Sequence, residues 1–132
     1  MQYLALIYET EASRSKMTPE QQEAMMDEYR KLIADLGPKF IGGNRLRPAT
    51  SATTIRVREG KRLVTDGPFA ETKEYLGGYF LIEAADLDEA ISIASRIPAA
   101  RMDCVEVRPV VPREQAPREQ AAPPQTGAAA AR

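Results

Sequence analysis

The segment TDGPFAETKE, residues 65–74, has the residue types best suited to chemistry. It places the carboxylate of Asp66 before a Gly-Pro pair and follows it with Glu71 and Lys73. A loop stiffened by proline and anchored by burial of Phe69 could hold Asp66 at the mouth of a cleft as a catalytic base. The same residues also explain a plain turn, because an Asp side chain accepts hydrogen bonds from the next backbone N–H groups. Both hypotheses stay open, and the turn is the preferred one.

Four further side chains could share a pocket with this loop. They are Tyr8 and Glu9 at the end of the first apolar segment, Arg45 after a glycine pair, and Tyr79 in the sequence GGY. Tyrosine hydroxyls donate hydrogen bonds, and arginine binds a carboxylate or phosphate through two N–H groups. With an Asp or Glu as base, this combination suits a small anionic or enolisable ligand. The predicted ligand-binding residues are therefore Tyr8, Glu9, Arg45, Asp66, Glu71, Lys73 and Tyr79.

The composition excludes several kinds of site. The chain of 132 residues has no histidine and one cysteine, which removes Ser-His-Asp and Cys-His catalysis and imidazole metal sites. The sequence has neither a glycine-rich phosphate loop nor a metal-ligand spacing, so we predict no cofactor and no metal. Lys and Arg number 18 against 19 Asp and Glu. No segment concentrates the basic residues, so nucleic acid is not an expected partner.

Apolar periodicity and capping signals predict the elements that must position these side chains. The segment YLALIY, residues 3–8, is apolar on both alternating faces, which is typical of a central strand. A helix begins after Thr18, with Pro19 at its first position and Gln21 completing a capping box, and it ends at Gly37. Its apolar stripe is interpreted as core rather than as a ligand site and comprises Met25, Met26, Tyr29, Leu32, Ile33 and Leu36.

The second half of the chain predicts a hairpin, two strands and a second helix. A short strand interrupted by a glycine pair comes first, and a hairpin turns at Glu59-Gly60. Residues 77–84 form the next predicted strand. The second helix begins after Asp86, with Glu89 closing its capping box, and is stopped by Pro98. The last strand is predicted over residues 103–111.

The element order, β-α-β-β-α-β with an extra hairpin, predicts an α+β fold of ferredoxin-like type with an antiparallel sheet. Two helices cover one face of such a sheet, whereas its central strands are apolar on both faces. A second copy of the sheet is the simplest cover, so we predict a homodimer. The domain is expected to span residues 1–111. Residues 112–132 are rich in Pro and Ala and are predicted to be a disordered tail.

Four segments carry a resemblance to a known family: LIYE, VTDGPFAETKE, LGGYFLIEAADLDEAI and IPAARMDCVEVRPV. In this order they resemble the YCII-related family, in the subgroup named for its DGPF tetrapeptide. The resemblance covers residues 1–110 and implies a dimeric α/β barrel, in which two ferredoxin-like sheets pack face to face. Some relatives have a His-Asp pair in a cleft, and only Asp66 has a counterpart here. DGPF-type proteins are often encoded beside extracytoplasmic-function sigma factors, which implies a regulatory or stress-linked setting.

Three classes of function stay open. The first is a small-molecule-binding or accessory domain, linked to sigma-factor or stress regulation. The second is a cofactor-free enzyme of isomerase or lyase type that uses an Asp or Glu base near Asp66. The third is a protein-interaction module. The N-terminal apolar run is too short for a membrane span and lacks the features of a signal peptide, so a cytoplasmic location without membrane contact is expected.

Overall fold

The computed structural model describes residues 1–113, which form one four-stranded sheet, a separate hairpin and four helices. The strands are β1 (Gln2–Thr10), β2 (Phe40–Arg45), β3 (Thr53–Arg58), β4 (Lys61–Asp66), β5 (Glu74–Glu83) and β6 (Cys104–Pro109). The helices are α1 (Glu11–Ser15), α2 (Pro19–Leu36), α3 (Leu87–Ala94) and α4 (Ala99–Met102). Almost all of the predicted disordered tail lies outside the described residues.

The sheet is antiparallel throughout, with the strand order β2-β5-β1-β6. Strand β1 lies between β5 and β6, which confirms the central position predicted from its apolar faces. Strands β3 and β4 pair only with each other. Without this hairpin, the order is that of a ferredoxin-like fold, as predicted. The predicted domain boundary at residue 111 stays a prediction.

The core lies between the helices and one face of the sheet. On that face Tyr3, Ala5 and Ile7 of β1 are buried, as are Phe80 and Ile82 of β5. The helices contribute Leu32, Leu36 and Ile93, and the connection between α3 and α4 contributes Ile97. Burial of a side chain the size of isoleucine stabilises a fold by about 1.5–3 kcal/mol, so the buried side chains of α2 and α3 help to hold these two helices on the sheet.

Helix α2 begins and ends where the local signals predict. The Thr18 side chain accepts a hydrogen bond from the Gln21 backbone N–H at 3.1 Å, and the Gln21 side chain accepts one from the Thr18 N–H at 2.9 Å. This is the predicted capping box. At the other end Gly37 has a φ of 55°, a conformation that glycine adopts without the strain of a Cβ atom.

Two details of the second helix differ from the prediction. Asp86 caps α3 by accepting from the Glu89 N–H at 2.9 Å, but the Glu89 side chain accepts from the N–H of Ala85 rather than from that of Asp86. The reciprocal bond therefore forms one residue earlier than expected. Helix α3 also ends at Ala94, because the backbone then tightens into hydrogen bonds to residues three positions back. Pro98 instead precedes the short helix α4.

No helix of residues 1–113 covers the second face of the sheet. Leu4, Leu6 and Tyr8 of β1 and Tyr79 and Leu81 of β5 alternate with the core residues and are half-buried. The hairpin adds further exposed apolar surface, with side chains between 56% and 61% exposed at Ile55, Val57 and Val64. The homodimer that would cover the open face stays a prediction.

Candidate functional site

A cavity of about 190 Å³ lies between α2 and the helix-covered face of the sheet. Gly43 of β2 and Gly77 and Gly78 of β5 line its sheet side. A Cβ atom would approach the Tyr79 carbonyl oxygen within 2.5 Å at Gly43, and the carbonyl oxygen of Asn44 within 2.9 Å at Gly78. Both positions therefore require glycine, and glycine leaves the space above the strands unfilled by side chains.

The greater part of the cavity wall is apolar. Aliphatic and aromatic side chains of the sheet and of α2 line it, and so do four of the five methionines of the chain. These apolar residues are Ile7, Met17, Met25, Met26, Ile33, Phe40, Phe80 and Met102. The Phe80 ring contacts Tyr29 and Phe40 edge to face, with centroid distances of 6.0 and 5.0 Å. These contacts hold the aromatic part of the wall in place.

The polar end of the cavity is built around an ion pair. The Glu9 carboxylate at the end of β1 pairs with the Arg14 guanidinium of α1, and both side chains are only about 20% exposed (21% and 19%). Arg14 also donates to the Leu46 carbonyl oxygen at 2.8 Å. Beside this pair the Ser13 hydroxyl donates to the Asp103 carboxylate at 2.8 Å. The two acidic groups at this end are thus engaged by neighbouring side chains.

Arg45, at the end of β2, also lines the cavity. Among residues 1–113 no carboxylate lies within ion-pair distance of its guanidinium. Its positive charge is close enough to Tyr29 to favour ionisation of that hydroxyl. Arg45 is therefore free to bind an anionic group in the cavity.

The Tyr29 hydroxyl is the second polar group available to a ligand. Burial of the side chain raises the pKa of Tyr29 to about 12, an effect opposed by Arg45 and reinforced by the Glu9 carboxylate. The hydroxyl is thus neutral at physiological pH and can donate a hydrogen bond. A neutral donor beside a free guanidinium can stabilise a carboxylate or a phenolate.

Three comparisons with known proteins bear on this site. The YCII-related domain model matches residues 1–114. The chain belongs to the YCII-related family. An uncharacterized protein, R00369 of Rhizobium meliloti (strain 1021), is 40% identical over 118 residues, which cover 83% of this chain and 92% of that protein.

A solved structure resembles this YCII-related chain more distantly. It is the 5-chloro-2-hydroxyhydroquinone dehydrochlorinase TftG of Burkholderia phenoliruptrix AC1100, in complex with 2,5-dihydroxybenzoquinone. The similarity covers 84% of this chain and 94% of that one, with 16% sequence identity and a TM-score of 0.44. Similarity at this level carries no inference about activity.

The seven predicted site residues of the YCII-related chain are divided among three places. Glu9 and Arg45 line the cavity under α2. Tyr8 and Tyr79 lie on the opposite face of the sheet, where the Tyr8 hydroxyl donates to Glu106 at 3.2 Å and the Tyr79 hydroxyl accepts from the Asn44 side chain at 3.2 Å. Since the sheet separates the two pairs, these four side chains do not share one pocket.

The other three predicted residues lie on the hairpin and the loop that follows it. Asp66 ends β4 with an exposed side chain and lines neither the cavity under α2 nor two further cavities of residues 1–113. Glu71 lines a groove of about 130 Å³ that also includes Glu9 and Arg14. Lys73 is exposed and, like Asp66, lines none of these cavities. The catalytic role of Asp66 stays a prediction.

The loop after Asp66 is held by its backbone rather than by an aromatic anchor. The Gly67 N–H donates to the Ala52 carbonyl oxygen at 2.6 Å, and the Thr54 hydroxyl donates to the Gly67 carbonyl oxygen at 2.7 Å. The expectation that Phe69 anchors the loop by burial is wrong, because this side chain is 79% exposed. The Phe69 ring is left uncovered by residues 1–113, although Pro68 and Glu71 of the same loop line the groove beside Glu9 and Arg14.

The sequence prediction missed the methionine and tyrosine side chains of the site. Met25, Met26 and Tyr29 recur at helical spacing and were interpreted as core. Leu32 and Leu36 of that stripe are buried, but Met26 is 38% exposed and faces the cavity. The signal that could have found the cavity is the pair of glycine doublets, Gly42-Gly43 and Gly77-Gly78, on two neighbouring strands.

Residues 1–113 contain neither a metal-binding cluster nor a membrane-spanning helix. No group of three His, Cys, Asp or Glu side chains there could hold a metal ion. In the same part of the chain, no helix combines the length and the apolar character needed to cross a membrane.

Proposed function

We propose that this YCII-related chain binds a small anionic molecule in the cavity beneath α2. The observation that carries the proposal is the guanidinium of Arg45, which pairs with no carboxylate of residues 1–113, beside the neutral hydroxyl of Tyr29 in a mostly apolar cavity. Small-molecule sites combine mostly apolar walls with a few placed polar groups. The Arg45 and Tyr29 side chains are such groups.

The size of the cavity limits the ligand to about one ring. A dry cavity of about 150 Å³ lined by Leu, Ile and Phe accepts benzene, and this cavity has about 190 Å³. A benzene-sized group with one small substituent therefore fits. Hydrogen bonds to a charged group stabilise a complex by about 1.5–3 kcal/mol each, so the contact with Arg45 is expected to supply a large share of the affinity.

A homodimer formed through the open sheet face is the second part of the proposal. Leu4, Leu6 and Leu81 lie on that face, which no helix of the described part of the chain covers. Two such faces packed together would form the dimeric barrel that the family resemblance implies. Because the cavity lies on the other face of the sheet, each subunit would hold its own ligand, and no residue of the partner would be needed.

A protein-interaction role is a second candidate function, favoured by the exposed hairpin. Its apolar face carries Ile55, Val57 and Val64, and the loop beyond it exposes Phe69. Exposed apolar surface of this kind is typical of binding sites for other proteins. A sigma factor as that partner, membership of the DGPF subgroup, a cytoplasmic location and an isomerase or lyase activity based on Asp66 all stay predictions.

Isothermal titration with sodium benzoate tests the binding proposal. Benzoate is a one-ring anion of suitable size, and the matched variants are Arg45→Gln in the cavity and Arg56→Gln on the exposed hairpin. We expect benzoate to bind the wild type, to bind Arg45→Gln about tenfold more weakly, and to bind Arg56→Gln within about twofold of the wild type. Absence of binding to the wild type, or equal losses in both variants, would refute the proposed site.

A further inference from the structure

Methionines form much of the apolar wall of the cavity. Met25 and Met26 extend from α2, Met17 precedes that helix, and Met102 ends α4. Only Met1 lies elsewhere. Methionine is unbranched, flexible at three bonds and polarisable, so it fills irregular spaces and adapts to different shapes. The wall formed by Met17, Met25, Met26 and Met102, termed here the methionine wall, can therefore change shape with its contents.

The polar end of the cavity has the opposite character. Arg14 is held by the Glu9 carboxylate and by the Leu46 carbonyl oxygen. The Tyr29 ring is fixed against Phe80. These contacts restrict the surroundings of Arg45, so an anionic group meets a defined set of donors. The held Arg14 and Tyr29 side chains thus contrast with an apolar wall that can adapt.

We infer that the site selects its ligands by their anionic group and tolerates variation in their apolar part. The inference rests on the proposed function and names a ligand class: small monocarboxylates with an aromatic or aliphatic body of about one ring in size. The carboxylate faces Arg45 and the Tyr29 hydroxyl, and the body lies against the methionine wall. Rigid β-branched residues in that wall would instead impose one shape, because their side chains are restricted at χ1.

Four probes separate selection by charge from selection by shape. Benzoate, 4-methylbenzoate and cyclohexanecarboxylate share the carboxylate and differ in the body, whereas benzamide keeps the shape of benzoate and lacks the charge. We expect the three carboxylates to bind the wild type within about fivefold of one another and benzamide to bind at least about tenfold more weakly than benzoate. The Arg45→Gln variant is expected to bring benzoate and benzamide within about twofold.

A Met25→Ile/Met26→Ile double variant tests the methionine wall itself. The three carboxylates are expected to spread over more than about tenfold in affinity, while the preference for benzoate over benzamide is kept. If this variant fails to fold, the affinities of the four probes for the wild type alone decide whether the methionine wall adapts to different ligand bodies.

The possible failures are distinguishable. Equal binding of benzoate and benzamide by the wild type overturns the inference of charge selection and leaves the cavity as a small-molecule site. A spread of more than about tenfold among the carboxylates in the wild type overturns the inference of an adaptable wall. Absence of binding by all four probes overturns the proposed function together with this inference.

Discussion

The carboxyl group of Glu9 lies against the backbone of Gly77, where a Cβ atom would come within 2.6 Å of the carboxyl carbon. Strand β1 pairs Ile7 with Gly78 and Tyr8 with Leu76, so Gly77 is the extra residue of a bulge in β5. The bulge leaves room for Glu9 to cross the strand and pair with Arg14. The polar end of the cavity thus depends on a residue without a side chain.

Gly77→Ala is expected to destabilise the protein through Glu9. The three atoms nearest to the added Cβ all belong to the Glu9 side chain. This side chain can move away, but it then loses its ion pair with Arg14. We expect a loss of about 1 kcal/mol in the free energy of unfolding in the wild-type background, and less than about 0.3 kcal/mol in a Glu9→Ala background. Urea unfolding of the four proteins of this cycle measures the difference.

The matched control for this cycle is Gly42→Ala. A Cβ atom at Gly42 would meet no heavy atom within 4 Å, so its effect should be the same with and without Glu9. If Gly77→Ala lowers the free energy of unfolding equally in both backgrounds, its cost does not arise from contact with the Glu9 side chain.

The pKa of Tyr29 predicts a loss of stability at high pH. Burial raises the pKa from 10.0 to about 12 in the folded protein, so the unfolded chain releases this proton first as the pH rises. The contribution of the Tyr29 hydroxyl to the free energy of unfolding is complete below about pH 10 and is lost as the pH rises through about 12. Partial exposure of the side chain reduces the expected loss to the order of 1–2 kcal/mol.

Tyr29→Phe isolates this effect from the other groups that titrate at high pH. Urea unfolding at about pH 9 and about pH 12 should show a smaller loss of stability in the variant than in the wild type. Equal losses in the two proteins would mean that the Tyr29 hydroxyl ionises as readily in the folded protein as in the unfolded chain.

Dimer formation and ligand binding are expected to be separable, because they use opposite faces of the sheet. Leu81 lies on the open face, directly opposite Leu4 of β1. In a dimer of sheets that bury about 2,000 Å² or more in total, Leu81→Glu would place a charge in the interface. Sedimentation should show dissociation of this variant, with the benzoate affinity within about twofold of the wild type.

Leu63→Glu is the control for that experiment, since Leu63 is 48% exposed on the hairpin. This variant should remain a dimer. If Leu81→Glu unfolds instead of dissociating, the melting temperature of the wild type should still rise with protein concentration. A folded wild-type monomer at micromolar concentration would contradict the proposed dimer.

Asp66→Asn decides between the two explanations of the DGPF segment. Asp66 is exposed and lies outside the cavity under α2, and the turn is held through Gly67. We expect the free energy of unfolding to change by less than about 1 kcal/mol and the benzoate affinity to stay within about twofold. A clear loss of affinity or of any turnover, at unchanged stability, would favour a site role for Asp66.

The elements that the sequence predicted are those specified by local signals. Thr18, Pro19 and Gln21 fix the start of α2 within four residues of chain, and Gly37 fixes its end. The continuous apolar run of β1 predicted a central strand, and β1 lies between β5 and β6. These signals require no knowledge of distant contacts.

The site depended on contacts that a local pattern cannot show. Met25 and Met26 have the same spacing whether they face a packed core or a cavity, and the difference is the absence of side chains at Gly43 and Gly78 across the interior. Similarly, the loop sequence gives no sign that Phe69 projects outward at 79% exposure. The register shift at the bulge in β5 likewise cannot be read from β1 alone.

The most direct test of the cavity as the ligand site is an NMR titration of methyl-labelled methionines with benzoate. Four of the five methionines line the cavity, and Met1 provides an internal reference because it lies outside it, 58% exposed. We expect the methyl signals of Met17, Met25, Met26 and Met102 to shift together along one saturable curve while that of Met1 stays in place. Saturable binding of benzoate without movement of these four signals would contradict the proposed site.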